Sequence, residues 1–491
     1  MDKAKIEQFY TKWQATLPQR IEGYIYDENK RILPTRFMFS KFKKVLEKFL
    51  AGTLIETEKM VLMPGIRGIG KSTLLAQTYA IEKFLKPKDA VLLNTIGKLD
   101  EKLYLDVSQL RAEQISLNDF FNYYEEVKGF HFEKPNKKIL ILLDEVHFDE
   151  NWGLFLKTIF DRTKGHRDVL VIATGSSALH IKMIPDLARR TDLWDIFPMK
   201  FNEYLILKYG KYPIAGLSDE LQDMLFNSAD AKIVFDRLKT KERDIDSFFA
   251  NSVPYNSMNG FFESGSFPSV IKIENKQKAI EKIKSVIDGI VAKDIIALQR
   301  FETPTVAKIS DLLYLLAQSD LINYSKLGEA LKISRSETLE SLLDVLVMSG
   351  VLVRVKTYGS TYGSTRKTPK FLFITPSLRS AILNNIYLTG IEGKKLEDYF
   401  ALIYAKDLKS GDKYAVNLQY DFAEGGADFV VVLRDRSNVV VEVGFGKESC
   451  IQVENTLKKT KGKYGLVFGS DNLELANNSI VKIPLKYLLL I

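Results

Sequence analysis

Lys59 to Ala80 reads KMVLMPGIRGIGKSTLLAQTYA, and within it Gly65, Gly70, Lys71 and Ser72 spell G-x-x-x-x-G-K-S. The order of residue types is what a phosphate cradle needs. Met60 to Met63 form an apolar run that reads as a buried strand aiming the loop. Glycines let the backbone close around an anion and turn its N–H groups inward. The helix beginning near Lys71 adds the positive end of its dipole. Gly65, Ile66, Arg67, Gly68, Ile69, Gly70, Lys71, Ser72 and Thr73 are therefore the expected nucleotide-binding set. Lys71 reaches the β- and γ-phosphates, and Ser72 is a ligand for Mg2+.

Two further runs fit the same site. KKILILLDEVH at 137–147 places five apolar residues before Asp144 and Glu145. In an open parallel sheet, the C-terminal strand ends line the ligand crevice. There Asp144 would hold magnesium through water and Glu145 would act as general base; capping of the next helix is the structural alternative. DVLVIATGSS at 168–177 ends in Thr174, Ser176 and Ser177. These hydroxyls either contact the γ-phosphate and lytic water, with Ser176 the candidate, or cap a helix. No N-K-x-D segment reads guanine, so ATP is the default nucleotide.

Apolar runs at 60–63, 90–94, 139–143 and 169–173 alternate with amphipathic stretches, which predicts an α/β fold with a parallel sheet and crossover helices. Residues 1–58 read as helical, with Phe39, Phe42, Val45, Leu46 and Phe49 at helical spacing. The 491 residues suggest about three domains. A hydrophobic fraction of 46% and a charged fraction of 27% are those of a soluble globular protein. The net charge of +8 permits a nucleic-acid partner without demanding one. Cys450 is the single cysteine, which excludes an internal disulfide or a cysteine-built zinc site. The start MDKAKIEQFYTKW is not a signal peptide, and no apolar run spans a membrane, so a cytoplasmic setting is expected.

INYSKLGEALKISRSETLESLLDVLVMSGVLVRV predicts a helix-turn-helix. Ser334 and Glu337 have capping-box spacing; Leu339, Leu342, Leu343 and Leu346 share one helix face; Gly350 ends the helix. VLVRV and FLFIT then flank a Gly/Ser/Thr loop, the pattern of a wing. Arg335, Ser336, Arg354, Lys356, Arg366, Lys367 and Lys370 are candidate contacts to double-stranded DNA. A module that packs against protein is the other reading. Farther on, DFAEGGADFVVVLRDRSNVVVEVGFGKES alternates as a β-hairpin turning at Arg434 to Asn438.

These residues together resemble AAA+/STAND-like, archaeal-type P-loop ATPases, which carry an ATPase core, a winged helix and a C-terminal domain like restriction endonucleases. LLDEVHFDENW resembles the family's D-E-h-Q…W segment, with His147 where glutamine is usual. LARRTDLWDIFPMKFNEYL resembles its arginine-bearing stretch, with Arg189 in place of the usual glycine. The resemblance implies that Arg190 senses the γ-phosphate, within the subunit or across an oligomer; pairing with Asp186 or Asp192 is the structural alternative. It also implies an acid site from Glu397, Asp428 and Glu442, degenerate because Gly444 stands at the lysine position and Lys447 lies three residues later. The implied organisation is an N-terminal helical segment (1–58), ATPase core (59–205), helical lid (206–304), winged helix (305–378) and nuclease-like domain (379–491). ATP binding and hydrolysis would rearrange these parts. The partner would be DNA, a protein or further copies of the chain, with no membrane.

Overall fold

Five consecutive apolar residues leave a strand no polar face, so the run at 139–143 must lie inside a sheet covered on both sides. In the computed structural model it forms β3 (Ile139–Asp144), buried along its whole length. The structure describes residues 3–175, 187, 189–295, 301–319, 324–359, 368–384, 390–409 and 413–491. Ser176, Ser177, Asp186, Arg366 and Lys367 lie outside them. The chain divides into two compact units, Met1–Ile196 and Phe197–Ile491.

The first unit is built on a parallel sheet. Its strands are β1 (Met60–Pro64), β2 (Glu101–Asp106), β3, β4 (Val169–Gly175) and β5 (Asp192–Leu193), in the order β2-β3-β4-β1-β5. The sequence placed a strand at 90–94, but these residues lie in a helix, Ala90–Thr95, where Val91 and Leu93 are exposed and Leu92 is buried. The strand is instead the alternating EKLYLD of β2. Its apolar residues are few, yet Leu103, Tyr104 and Leu105 are all buried, so both faces are covered at the centre of the strand.

Two N-terminal helices belong to this unit. α1 (Lys3–Ile25) buries Ile6, Phe9, Trp13, Leu17, Ile21 and Ile25, one residue per turn. Each such burial contributes about 1.5–3 kcal/mol. α2 (Phe39–Ala51) buries Phe39, Phe42, Val45, Leu46 and Phe49, the face its spacing announced, and stops at left-handed Gly52. α3 (Lys71–Tyr79) follows the glycine loop, and α4 (Trp152–Arg162) joins β3 to β4.

The second unit begins with helices, including α5 (Phe201–Tyr209), α6 (Leu217–Phe226), α7 (Ala231–Lys239) and α8 (Lys276–Gly289). The helix-turn-helix is α9 (Tyr324–Leu331) and α10 (Ser336–Met348). α10 starts with Arg335 at its cap position and no side-chain cap, so the box expected at Ser334 does not form. Gly350, at φ 80°, follows the helix as expected. β6 (Leu352–Thr357) and β7 (Lys370–Phe373) pair antiparallel. β6 also pairs with β8 (Ala415–Tyr420), so the hairpin continues a larger sheet across position 378. That sheet runs β12-β13-β11-β10-β9-β8-β6-β7, with β9 (Phe429–Leu433), β10 (Asn438–Val443), β11 (Tyr464–Phe468), β12 (Glu474–Ala476) and β13 (Ile480–Ile483).

Between the hairpin and β8 come α11 (Pro376–Leu383) and α12 (Ile391–Ile403). They are joined by Arg379 and Asp398, both 0% exposed, through a bidentate ion pair at 2.6 and 2.9 Å. Asp398 also accepts the N–H of Phe373, which ties β7 to both helices. Removing one partner of such a pair strands a charge in the interior. Arg379→Met should therefore lower the stability of the 197–491 unit by about 3–5 kcal/mol in chemical denaturation. Lys232→Met, at an exposed pair with Asp236, should leave that stability unchanged.

Candidate functional site

The parallel arrangement brings the glycine loop and the ends of β3 and β4 to one sheet edge. Gly65 is required sterically, because a Cβ there would sit 2.6 Å from the Ile196 carbonyl and the Ile69 side chain. Gly68 and Gly70 have φ of 78° and 89°, turning the loop into α3. Lys71 is buried, and its Nζ donates to the carbonyls of Gly65 (2.8 Å) and Ile66 (3.0 Å). From the N-terminal segment, buried Arg36 donates to the Ile69 carbonyl at 2.8 Å.

Asp144 is 2% exposed and sits among hydroxyls. Thr174 donates to its Oδ1 at 2.5 Å, and the Tyr104 hydroxyl donates to its Oδ2 at 3.1 Å. Ser72 also hydrogen-bonds it. Burial raises the Asp144 pKa, the neighbouring Glu145 adds to this, and the Ser72 and Thr174 hydroxyls oppose it. Glu145 has a left-handed backbone, φ 55°, which is uncommon for a residue with a side chain. Its N–H donates to Thr174 Oγ1 at 3.2 Å, so one threonine holds both acidic residues. The Glu145 carboxylate lies 3.3 Å from His147 Nδ1.

Ser72, Asp144, Glu145 and Thr174 are thus brought together beside the loop. A serine hydroxyl bonded to a buried carboxylate is an oxygen donor set that fits a hard divalent cation such as Mg2+. Arg190 is not part of this group. β5 runs beside β1 with Asp192 opposite Val61, so Arg190 is level with the start of β1. That leaves roughly 15–20 Å of strand between it and the loop. It pairs with Asp161 near the end of α4, at 3.5 Å, rather than with Asp192.

Sequence reading missed Tyr104, Asp106, Arg36 and Tyr24. Asp106 lies opposite Asp144 in the β2–β3 register. Tyr24, from α1, hydrogen-bonds Ser72, and burial raises its pKa with help from Asp144 and Asp106. The alternation of EKLYLD was the available signal for Tyr104 and Asp106. Nothing local marks Arg36 or Tyr24.

The C-terminal acids are only partly assembled. Glu442 Oε2 accepts the Asp428 N–H at 3.0 Å, and Asp428 Oδ2 accepts the Val443 N–H at 2.9 Å. Lys447 does reach back, with Nζ 2.6 Å from Glu442 Oε1. Glu397 does not join them. It pairs with Lys370, and its helix α12 stacks Phe400 on Phe429 at 4.8 Å. Strand alternation puts Glu442 on the opposite face, with Val440 and Val467 against the helix Ile451–Thr460.

Burial, aided by Asp428, pushes the Glu442 carboxyl up to about 7, against the pull of Lys447. Its folded value exceeds its unfolded one, so folding takes up a proton between pH 4.5 and about 7. The contribution is fully present below that window and lost above it. The 197–491 unit should lose stability between pH 5 and pH 8. Denaturation at both pH values should show a smaller loss in Glu442→Gln.

Residues 57–205 match the AAA domain family, and residues 258–388 match a domain of unknown function, DUF8612. The uncharacterized protein MJ1637 of Methanocaldococcus jannaschii is 30% identical over 475 residues, covering 95% of this chain and 90% of that protein. Among solved structures, the Walker-type ATPase paby2304 of Pyrococcus abyssi aligns over 71% of this chain and 96% of its own, with 16% identity and a TM-score of 0.37. RuvB of Thermotoga maritima aligns over 66% and 90%, with 13% identity and a TM-score of 0.28. Among the described residues, no helix is long and apolar enough to cross a membrane. The α/β fold with its parallel central sheet matches a P-loop ATPase core, and the chain belongs to the family of MJ1637, with an AAA domain at residues 57–205.

Proposed function

We propose that the chain binds ATP with magnesium at the glycine loop, hydrolyses it, and uses the nucleotide state to control engagement of a protein partner by residues 197–491. The observation that carries the chemistry is the hydroxyl–carboxylate cluster of Ser72, Asp144 and Thr174 beside Glu145 and the loop. The N–H groups at the start of α3 face the phosphates. Lys71 leaves the Gly65 and Ile66 carbonyls for β- and γ-phosphate oxygens. Ser72 and Asp144 would hold Mg2+, which would supply neutralisation of phosphate charge. Glu145 takes the proton of the attacking water as the bond from the γ-phosphorus to ADP breaks. Arg190 is too far to serve its own loop, so a γ-phosphate contact from it falls to a second copy of the chain.

Electrostatics favours a protein over DNA. α10, the helix a DNA reading would place in the major groove, exposes Glu337 and Glu340 and contains no lysine or arginine. Two candidate phosphate contacts are internal: Arg354 pairs with Asp344, and Lys370 with Glu397. Arg335, at the start of α10, and Lys356, on β6, are exposed, but Glu337 and Glu340 of α10 oppose a phosphate there. The C-terminal α/β portion is a degenerate nuclease-like domain on this reading, because Glu442 accepts the Asp428 N–H, Asp428 accepts the Val443 N–H, and Glu397 lies across the sheet.

Lys71→Ala should abolish nucleotide binding measured by calorimetry. Glu145→Gln should retain binding while reducing phosphate release by at least about a hundredfold. Purified protein that neither binds nor turns over ATP would reject the proposal. For the partner, fluorescence anisotropy at low salt should detect no specific duplex-DNA binding, with or without ATP. Salt-sensitive binding weakened by Arg335→Ala would restore the DNA reading.

A further inference from the structure

We infer that Tyr104 is a positioning residue for the metal site: its hydroxyl fixes the Asp144 carboxylate in the orientation that receives magnesium. The inference rests on the ATPase reading above and concerns a residue outside the glycine loop and the acidic pair. β2 alternates, so Tyr104 and Asp106 share a face. From the position opposite Leu142, the Tyr104 side chain reaches two residues along to Asp144 Oδ2. Thr174 occupies Oδ1, so each carboxylate oxygen has a donor from a flanking strand. The two donors fix the carboxylate plane and leave the contact with Ser72 exchangeable for a metal.

Tyr104 is itself held firmly. It is 2% exposed; its carbonyl accepts the Trp13 indole N–H at 2.7 Å; its ring meets Tyr79 of α3 edge-on, with centroids 6.3 Å apart. A phenol locked at ring and backbone delivers its O–H to one place without an ordering cost when ligand arrives. Tyrosine rather than phenylalanine is needed only for that hydrogen bond, since the ring contacts would survive its removal.

The test uses the full chain carrying Tyr104→Phe. Losing a hydrogen bond to a charged group should weaken Mn2+ binding to the ADP complex, followed by electron paramagnetic resonance, by about tenfold. ADP affinity in EDTA should stay unchanged. The Mg2+ concentration for half-maximal turnover should rise by a similar factor, with kcat at saturating metal changing less than about threefold. Unchanged Mn2+ affinity, or a fall in kcat with no change in metal requirement, would overturn the inference. Should Tyr104→Phe fail to fold, 4-fluorophenylalanine at position 104 fills the place of the hydroxyl without a donor. Mn2+ affinity should then fall by about tenfold, and no fall overturns the inference equally. Lys71→Ala serves as the separate control. If it leaves ADP binding intact, the ATPase reading fails; if it abolishes binding while the Tyr104 variants leave metal affinity unmoved, the Tyr104 inference alone fails.

Discussion

A carboxylate buried at the end of a central strand is costly unless its oxygens find donors, and the first unit is arranged around that requirement at Asp144. β3 carries Asp144 into a position where only 2% of its surface meets solvent. The donors arrive from both sides: Tyr104 from β2, Thr174 from β4, and Ser72 from α3. The parallel register makes this convergence possible, because every strand ends at the same edge. An antiparallel neighbour would have sent its start there instead. The cluster also explains the backbone of Glu145, whose left-handed turn is held by the hydroxyl that serves Asp144. Such strain persists where surroundings over-determine it, and this is common where chemistry is to be done.

The second unit solves a different problem with the same physics. A helix-turn-helix with a two-stranded hairpin is a small module with little core of its own. Here β6 is shared between the hairpin and the larger sheet through β8. The buried Arg379–Asp398 pair joins α11, α12 and β7 at one point. A fully buried charge pair adds little net stability over an apolar pair of similar volume, but it tolerates few alternative packings. Continuity of the sheet across 378 is thus accompanied by a buried ion pair that joins α11, α12 and β7.

Side-chain pairing also changes what the surface of that module can recognise. Seven residues around it read as phosphate contacts in the sequence. Of these, Arg354 and Lys370 neutralise carboxylates within the fold, while α10 presents carboxylates of its own. A count of basic residues overstates attraction for a polyanion whenever neighbouring acids are not placed in space. The same holds for the C-terminal acids. Asp428 and Glu442 meet across a hairpin, but Glu397 is on a helix covering the other face.

The sequence alone determined the glycine loop, the buried strands ending in Asp144 and Thr174, and the amphipathic face of α2, because each depends on residues within one turn or one strand. Lys71 and Ser72 follow from G-K-S for the same reason. Periodicity failed at β2, where 90–94 looked more like a strand than EKLYLD did; Trp13 and Tyr79 from distant segments meet Tyr104 on the strand's more polar face, so apolar density misleads. What only the tertiary structure decided was proximity between distant segments. Tyr104 on Asp144, Arg36 on the Ile69 carbonyl and Lys447 on Glu442 are such contacts. So is the separation of Arg190 from the loop, which a motif beside the core gave no means of foreseeing. Local order encodes which groups a strand end can offer, whereas the register of a parallel sheet decides which of them meet.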